Sequence, residues 1–486
     1  MNYMLYASLL GLAFASPHPR QDQRQIQWGS CPDGVPDGLN CSKLSVPIDW
    51  NTPGSGTIDI EVAVLNATNP EKRLGYLMLN PGGPGGAAIP LLIAYQRGSW
   101  YFSDDLREHF DLIAADPRGV GASNPISCSP DLWNERVILV PGNQTAFDST
   151  VDYWNSFSKS CVNATGPLFG HVDTASAAKD IEALRLALGG EQLNWLGFSY
   201  GTMLGSQYAE LYPKNIRAMV LDGCVDHRLD GNAQILSEVV SYEATHGKFF
   251  EWAAQNSTSA LYNQTPTPVE IWDEVVSRAS ASPIPAPECQ DVCCSDVSYE
   301  EIILNGQEML ICPSSGFTEL AQALNDTHYS NNASLFSTPL AVRGNDSAFG
   351  GQAIQCLDWQ PHQSTLDAVL YRQQAAEWLG PHVRGLCQSL QVVMSCLGWA
   401  VDRVDPPRRY NVSGTPNTVL QVNALWDPST SFQWAVGLNT QIEGAVLVTR
   451  NGSGHTSYEG RGEASRVMDR YLVNLTVPEA HFVVQD

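Results

Sequence analysis

A short apolar run at residues 193–196 ends at Gly197-Phe198-Ser199-Tyr200-Gly201, and a helical run over 202–211 follows at once. A chain that passes from strand to helix within so tight a turn forces the central residue into a strained backbone. Glycines at both flanks remove the Cβ atoms that would hold strand and helix apart. The serine hydroxyl is then presented at a strand end, beside the positive end of a helix. The Gly-x-Ser-x-Gly pattern alone arises by chance in about one sequence in ten. Its placement between strand and helix makes Ser199 a candidate nucleophile.

That strand has company. Ile58, Ile60, Val62 and Val64 alternate as in a half-buried strand. Residues 76–79, 112–115 and 218–221 are short, mostly apolar runs closed by Gly, Asn or Asp, as buried parallel strands are. Before residue 193 lies a helix signal that Thr174 can cap; Ile181, Leu184 and Leu188 share its face and Gly189 stops it. Strands separated by helices imply an α/β class, a mostly parallel sheet with helices on both faces. From residue 224 to about 410 the strand runs vanish. Helical patterns over 235–254, 269–279 and 366–378 replace them, a proline-rich loop over 282–289 interrupts them, and seven of the twelve cysteines fall from the end of that loop to residue 396. Strand signals return at 418–425 and 445–449, and a closing helix at 463–473. The chain accordingly divides into a signal peptide (1–15), an N-terminal arm (16–46), a first core part (47–223), a mainly helical, disulfide-rich insertion (224–410) and a second core part (411–486).

A serine hydroxyl needs a base, and the base an acid to orient it. After a nucleophile of this kind the chain order is acid, then histidine. His455 lies in Asn451-Gly-Ser-Gly-His455, a glycine-rich loop after a predicted strand. His18 lies in the arm, His109 and His171 precede the serine, His227 to His382 fall in the insertion, and His481 has no loop signal. Asp427 ends the preceding strand; Asp402 and Asp405 follow none. The bland alternatives are a surface histidine and an ordinary Asp-Pro turn. The oxyanion of a tetrahedral intermediate needs backbone donors. The amide after the nucleophile, Tyr200, is one. The loop Asn80-Pro-Gly-Gly-Pro-Gly-Gly86 offers Gly83 as the other. A phosphate cradle is a poor reading of that loop, since no Lys-Ser/Thr follows. Such chemistry needs no cofactor and no metal, and the cysteines lack the doubled C-x-x-C spacing of a zinc site.

Net charge is −24 with a pI near 4.7, which speaks against nucleic acid and anionic membrane surfaces as partners. Residues 4–15 are apolar but too short to span a bilayer, and Ala13-Phe14-Ala15 has the form of a signal-peptidase site. An even set of twelve cysteines suits an oxidising compartment. Glycosylation sequons occur at Asn66, Asn143, Asn163, Asn256, Asn263, Asn325, Asn332, Asn345, Asn411, Asn451 and Asn474, with a weaker one at Asn40 that contains Cys41. Chance supplies roughly three or four. Secretion to the extracellular space is expected.

Together, Asn80–Gly86, Asp116-Pro-Arg-Gly-Val-Gly-Ala-Ser123, the segment from Gly197 to Gly205, Val220-Leu-Asp-Gly223, Asp427-Pro-x-Thr430 and Gly454-His455 resemble the tripeptidyl-aminopeptidase-like branch of the prolyl-aminopeptidase (S33) family of α/β hydrolases. The resemblance implies the α/β-hydrolase fold, a triad of Ser199, Asp427 and His455, and a cap built from the insertion. It also implies a Cys128–Cys161 bridge and structural roles for Asp116 and Arg118. The turn reads Asp427-Pro-Ser-Thr-Ser431 where the family usually carries Asp-Pro-Val-Thr-Pro. The implied activity is an aminopeptidase releasing short peptides or single residues from free N-termini. A carboxylesterase or lactonase acting on a small-molecule acyl substrate shares every residue named, and a non-catalytic binding protein on the same fold would be expected to lose a triad member. An exopeptidase must cage a substrate ammonium with acidic groups. Glu238, Glu243 and Glu251 share one helical stretch, where solvated surface charge is their ordinary reading.

Overall fold

A computed structural model describes residues 25–345, 347–359 and 364–485; the expected signal peptide and His18 lie outside them. The strands are β1 (Gly29–Ser30), β2 (Asn40–Pro47), β3 (Thr57–Leu65), β4 (Gly75–Asn80), β5 (Phe110–Ala115), β6 (Leu193–Phe198), β7 (Ile216–Asp222), β8 (Ile284–Pro285), β9 (Asp296–Val297), β10 (Val419–Trp426), β11 (Val446–Ser453) and β12 (Val483–Val484). Ten of them form one sheet in the order β1-β2-β3-β5-β4-β6-β7-β10-β11-β12, while β8 and β9 pair by themselves. The sheet is parallel from β5 to β12 and antiparallel only at the β1-β2-β3 edge and where β3 meets β5.

All six residues of β6 are buried, as expected of a strand covered on both faces. Leu193 and Trp195 enter the core on one face, Leu196 and Phe198 the core on the other. Helix α1 (Thr174–Ala187) covers the first face. Its cap is Asp173 rather than Thr174: the Asp173 carboxylate accepts the Ser176 amide, while the Thr174 hydroxyl is drawn off to buried Asp358. Helix α2 (Tyr200–Leu211) packs beside α1, burying Met203, Leu204 and Tyr208. Close approach explains its glycines. A Cβ on Gly197 would lie 2.5 Å from the Gly201 carbonyl, and one on Gly201 would lie 2.8 Å from that of Asn80.

The insertion has its own hydrophobic core, in which Tyr242, Phe249, Trp272, Ile302, Leu310 and Leu320 are fully buried. Helix α3 (Gly231–Gln255) opens it, capped by Asp230. Helix α4 (Tyr299–Ile311) starts at a reciprocal capping box between Ser298 and Glu301. Helix α5 (Gln388–Ser395) follows, and α6 (Glu463–Asn474) returns to the sheet. Bridges join Cys31 to Cys41, Cys128 to Cys161, Cys289 to Cys293 and Cys356 to Cys396. Cys224, Cys294, Cys312 and Cys387 are free. The two buried thiols sit in different surroundings, Cys224 against Gln421 and Cys387 against Ile235. The insertion therefore relies on its apolar core as well as on its bridges.

Asp116 and Arg118 brace the loop after β5. Asp116 accepts the amides of Ile89 and Ala122. Arg118, with no exposed surface, grips both carboxylate oxygens of Asp180 at 2.6 Å and donates to the carbonyls of Pro47, Ile48 and His171. No described helix is long and apolar enough to cross a membrane.

Candidate active site

Strand register brings the candidate residues to one edge. Phe198 pairs with Asp222, Asp222 with Val422, and Trp426 with Ser453. The residues that leave these strand ends are Ser199, Gly223, Asp427 and Gly454-His455. Ser199 turns from β6 into α2 with φ +55° and ψ −126°, a strained conformation for a residue with a side chain. Its amide is held by the Asp222 carbonyl at 2.9 Å. The glycine loop after β4 rides directly over this turn: a Cβ on Gly82 would lie 2.8 Å from the Ser199 Cβ and 3.1 Å from the Tyr200 nitrogen. The amides of Gly82 and Gly86 are engaged within the loop, and Gly83 lines the same cavity as Ser199 and Tyr200.

Asp427 has no exposed surface. Its carboxylate accepts the Ser429 and Thr430 amides and the Thr430 hydroxyl, and both oxygens lie 3.0 Å from His455 Nδ1. These bonds leave the acid one orientation. The His455 ring also packs on Gly223, its Cε1 lying 3.2 Å from where a Cβ would stand. Burial alone would lower the basicity of His455, but Asp427, with Asp222 and Glu308 behind it, outweighs that and raises it above the ordinary histidine value.

Two of the groups around His455 carry no mark of their own in the sequence. Asp222 ends β7, accepts the Ser457 and Tyr458 amides, and holds the loop after His455; burial pushes its carboxyl up to about 6. Only its place in the Val220-Leu-Asp-Gly223 stretch hints at it. Glu308 projects from α4 in the insertion and donates no local pattern at all. It keeps accessible surface because it faces a cavity, yet protein surrounds it closely enough to raise its carboxyl.

The cavity at Ser199 holds about 70 Å³. The core supplies its floor, including Ser199, Tyr200 and Thr430; the insertion supplies Glu238, Trp359, Gln388 and Val392. Gln388 also borders a larger cavity of about 250 Å³ that contains Glu300 and Glu308. The three glutamates of α3 part company. Glu251 is exposed and paired with Lys248, and Glu243 holds His382. Glu238 is only 2 % exposed, so it is not surface charge. It accepts the Ser389 amide at 2.7 Å, and burial raises its carboxyl to about 7. Helical periodicity could have put Glu238 on the inward face, but only the fold puts that face over Ser199. Among the described residues no group of three metal-binding side chains is assembled.

Residues 75–306 match the alpha/beta hydrolase fold family, and residues 386–483 match the TAP-like protein family. The chain has the α/β-hydrolase fold with a TAP-like C-terminal part, and it is an enzyme, a serine hydrolase. Serine protease Hip1 of Mycobacterium tuberculosis is 28% identical over 473 residues, covering 93% of this chain and 89% of that one. Tripeptidyl aminopeptidase of Streptomyces lividans is 28% identical over 471 residues, covering 90% and 81%. Carboxylesterase B of Mycobacterium tuberculosis is 27% identical over 482 residues, covering 93% and 89%.

Proposed function

We propose that this TAP-like hydrolase is an aminopeptidase that releases residues or short peptides from free N-termini through an acyl-enzyme on Ser199. The observation that carries the reading is Glu238. A buried carboxyl in the cavity of the nucleophile costs stability when ionised alone, and a substrate ammonium offsets that cost. An ester hydrolase gains nothing from it. Relatives called serine protease and tripeptidyl aminopeptidase add weight to a peptide substrate.

In this reading Ser199 Oγ attacks the scissile carbonyl carbon as its proton passes to His455 Nε2. Asp427 accepts the Nδ1 proton in a hydrogen bond, fixing the tautomer and stabilising the imidazolium. The Tyr200 and Gly83 amides take the oxyanion. The carbon–nitrogen bond then breaks as Nε2 returns the proton to the leaving amine. Water, deprotonated by the same imidazole, attacks the acyl-enzyme and frees the acid product. Residues 224–410 act as the cap that selects the substrate.

The test is a panel of peptide p-nitroanilides with free and acetylated N-termini. Cleavage of only the free forms is expected. Hydrolysis of simple esters with every free peptide left intact would overturn the peptidase and favour an ester hydrolase, in keeping with the relative called Carboxylesterase B.

The enzyme is also proposed to act outside the cell. Four disulfides support this, as do eleven sequon asparagines, from Asn66 to Asn474, none of which is buried. N-terminal sequencing of protein from the culture medium, with and without glycosidase, checks cleavage after Ala15 and the sugars together.

A further inference from the structure

The insertion does more than cover the site. Its helix α4 ends against the loop that carries His455: the His455 amide donates to the Ile311 carbonyl at 2.7 Å. Gly454 closes on Pro313, two residues past the end of that helix, so tightly that a Cβ there would lie 2.4 Å from the proline ring. A second tie runs to the acid. Ser429, whose amide is bound by Asp427, donates its hydroxyl to Gln388 Oε1 at 3.0 Å. Gln388 Nε2 then donates to Glu308 Oε1 at 2.7 Å, one turn before Ile311 on α4. Both members of the acid–base pair are thus fastened to one helix of the insertion.

We infer that Glu308 and Gln388 are positioning residues for the Asp427–His455 pair, so that the insertion is part of the catalytic machinery as well as its cover. The inference rests on the triad reading above. An amide side chain suits the linking place, since it accepts from the Ser429 hydroxyl and donates to the Glu308 carboxylate at once. Glu308 contributes charge as well as a bond. The ionisable groups around His455 are Asp427 after β10, Asp222 at the end of β7, Glu308 on α4, and Arg450 on β11, which binds the Gly454 and Thr456 carbonyls. The charge of Glu308 also acts on Glu238 of α3, raising its carboxyl. Asp427 and Asp222 act on His455 from the sheet, and Glu308 acts on it from the insertion.

The sign of its effect can be read in a pH profile. His455 works as a base only when neutral, so activity falls on the acid side of its pKa. Removing the Glu308 charge makes the imidazolium easier to deprotonate. The acidic limb of kcat/KM in Glu308→Gln therefore moves to lower pH. Gln388→Ala breaks the tie to Ser429 and lowers kcat roughly threefold to tenfold, with KM moving less. The two variants together are non-additive, since both cut one chain. The measurements use the full chain and any acyl substrate the wild type turns over, with active sites counted by a fluorophosphonate. An acidic limb in Glu308→Gln that coincides with the wild type overturns the inference. So does an unchanged kcat in Gln388→Ala, a second test that does not need Glu308→Gln to fold. If Ser199→Ala keeps its activity, the triad reading itself fails, and this inference with it.

Discussion

The sheet core and the insertion present their chemistry in opposite ways. In the core each candidate group sits just past a strand end, and hydrogen-bonded neighbours carry Ser199, Asp427 and His455 to one edge by register alone. In the insertion the groups that matter lie on three helices far apart in sequence: Glu238 on α3, Glu308 on α4 and Gln388 on α5. They meet only because an independent apolar core packs those helices over the sheet edge. Chemistry built on register is fixed by a few local turns. Selection built on helix packing can be altered by any of many distant contacts.

The largest contrast between the two regions is expected at Ser199. Ser199→Ala should lose about 10⁴-fold or more in kcat/KM while its melting temperature stays within a degree or two of the wild type. A folded, active variant would mean that the core edge is not the reacting centre.

Glu238→Gln probes the other side. It should lose roughly tenfold to hundredfold in kcat/KM on peptides with free N-termini and little on a simple activated ester. Stability should move the opposite way. The Glu238 carboxyl is raised by burial to about 7. A group held above its unfolded value favours folding below that unfolded value and loses this as pH rises through the folded one. Glu238→Gln should therefore melt higher than the wild type at pH 8 and close to it at pH 4. Equal losses on free peptides and on the ester would show that Glu238 supports the fold rather than the ammonium.

The smallest contrast is in the bridges. Cys128–Cys161 closes a separation of 33 residues in the core part, and Cys289–Cys293 one of 4 in the insertion. On loop entropy the first stabilises by about 4 kcal/mol and the second by about 2 kcal/mol. Chemical denaturation of the paired Cys→Ser variants should rank them in that order. The reverse order would mean that the insertion depends on its bridge more than on its apolar core.

Legibility followed the same divide. The turn at Ser199, the glycine loop at Gly83 and the loop at His455 could be read because strained or close-packed backbone demands particular residues within a few positions. The sequence puts the cap of α1 one residue late, because Thr174 binds Asp358, 184 residues away, and leaves the cap to Asp173. In the sequence Glu238 looks like surface charge, because periodicity tells which face of a helix is apolar, and not what the other face meets. Asp222 was visible only as part of a stretch, since its partners, the amides of Ser457 and Tyr458, lie more than 230 residues further on.

The edge that carries the candidate residues is legible in the sequence alone. Strand, turn and helix signals are local, and the chain order of serine, acid and histidine follows from which strand ends they leave. What surrounds that edge comes from packing in three dimensions: a buried glutamate in the cavity of Ser199, and a helix whose last carbonyl holds the His455 amide. Those contacts join residues with no pattern between them. They depend on how the insertion packs against the sheet, and that fit is a sum over many side chains rather than the property of any short segment.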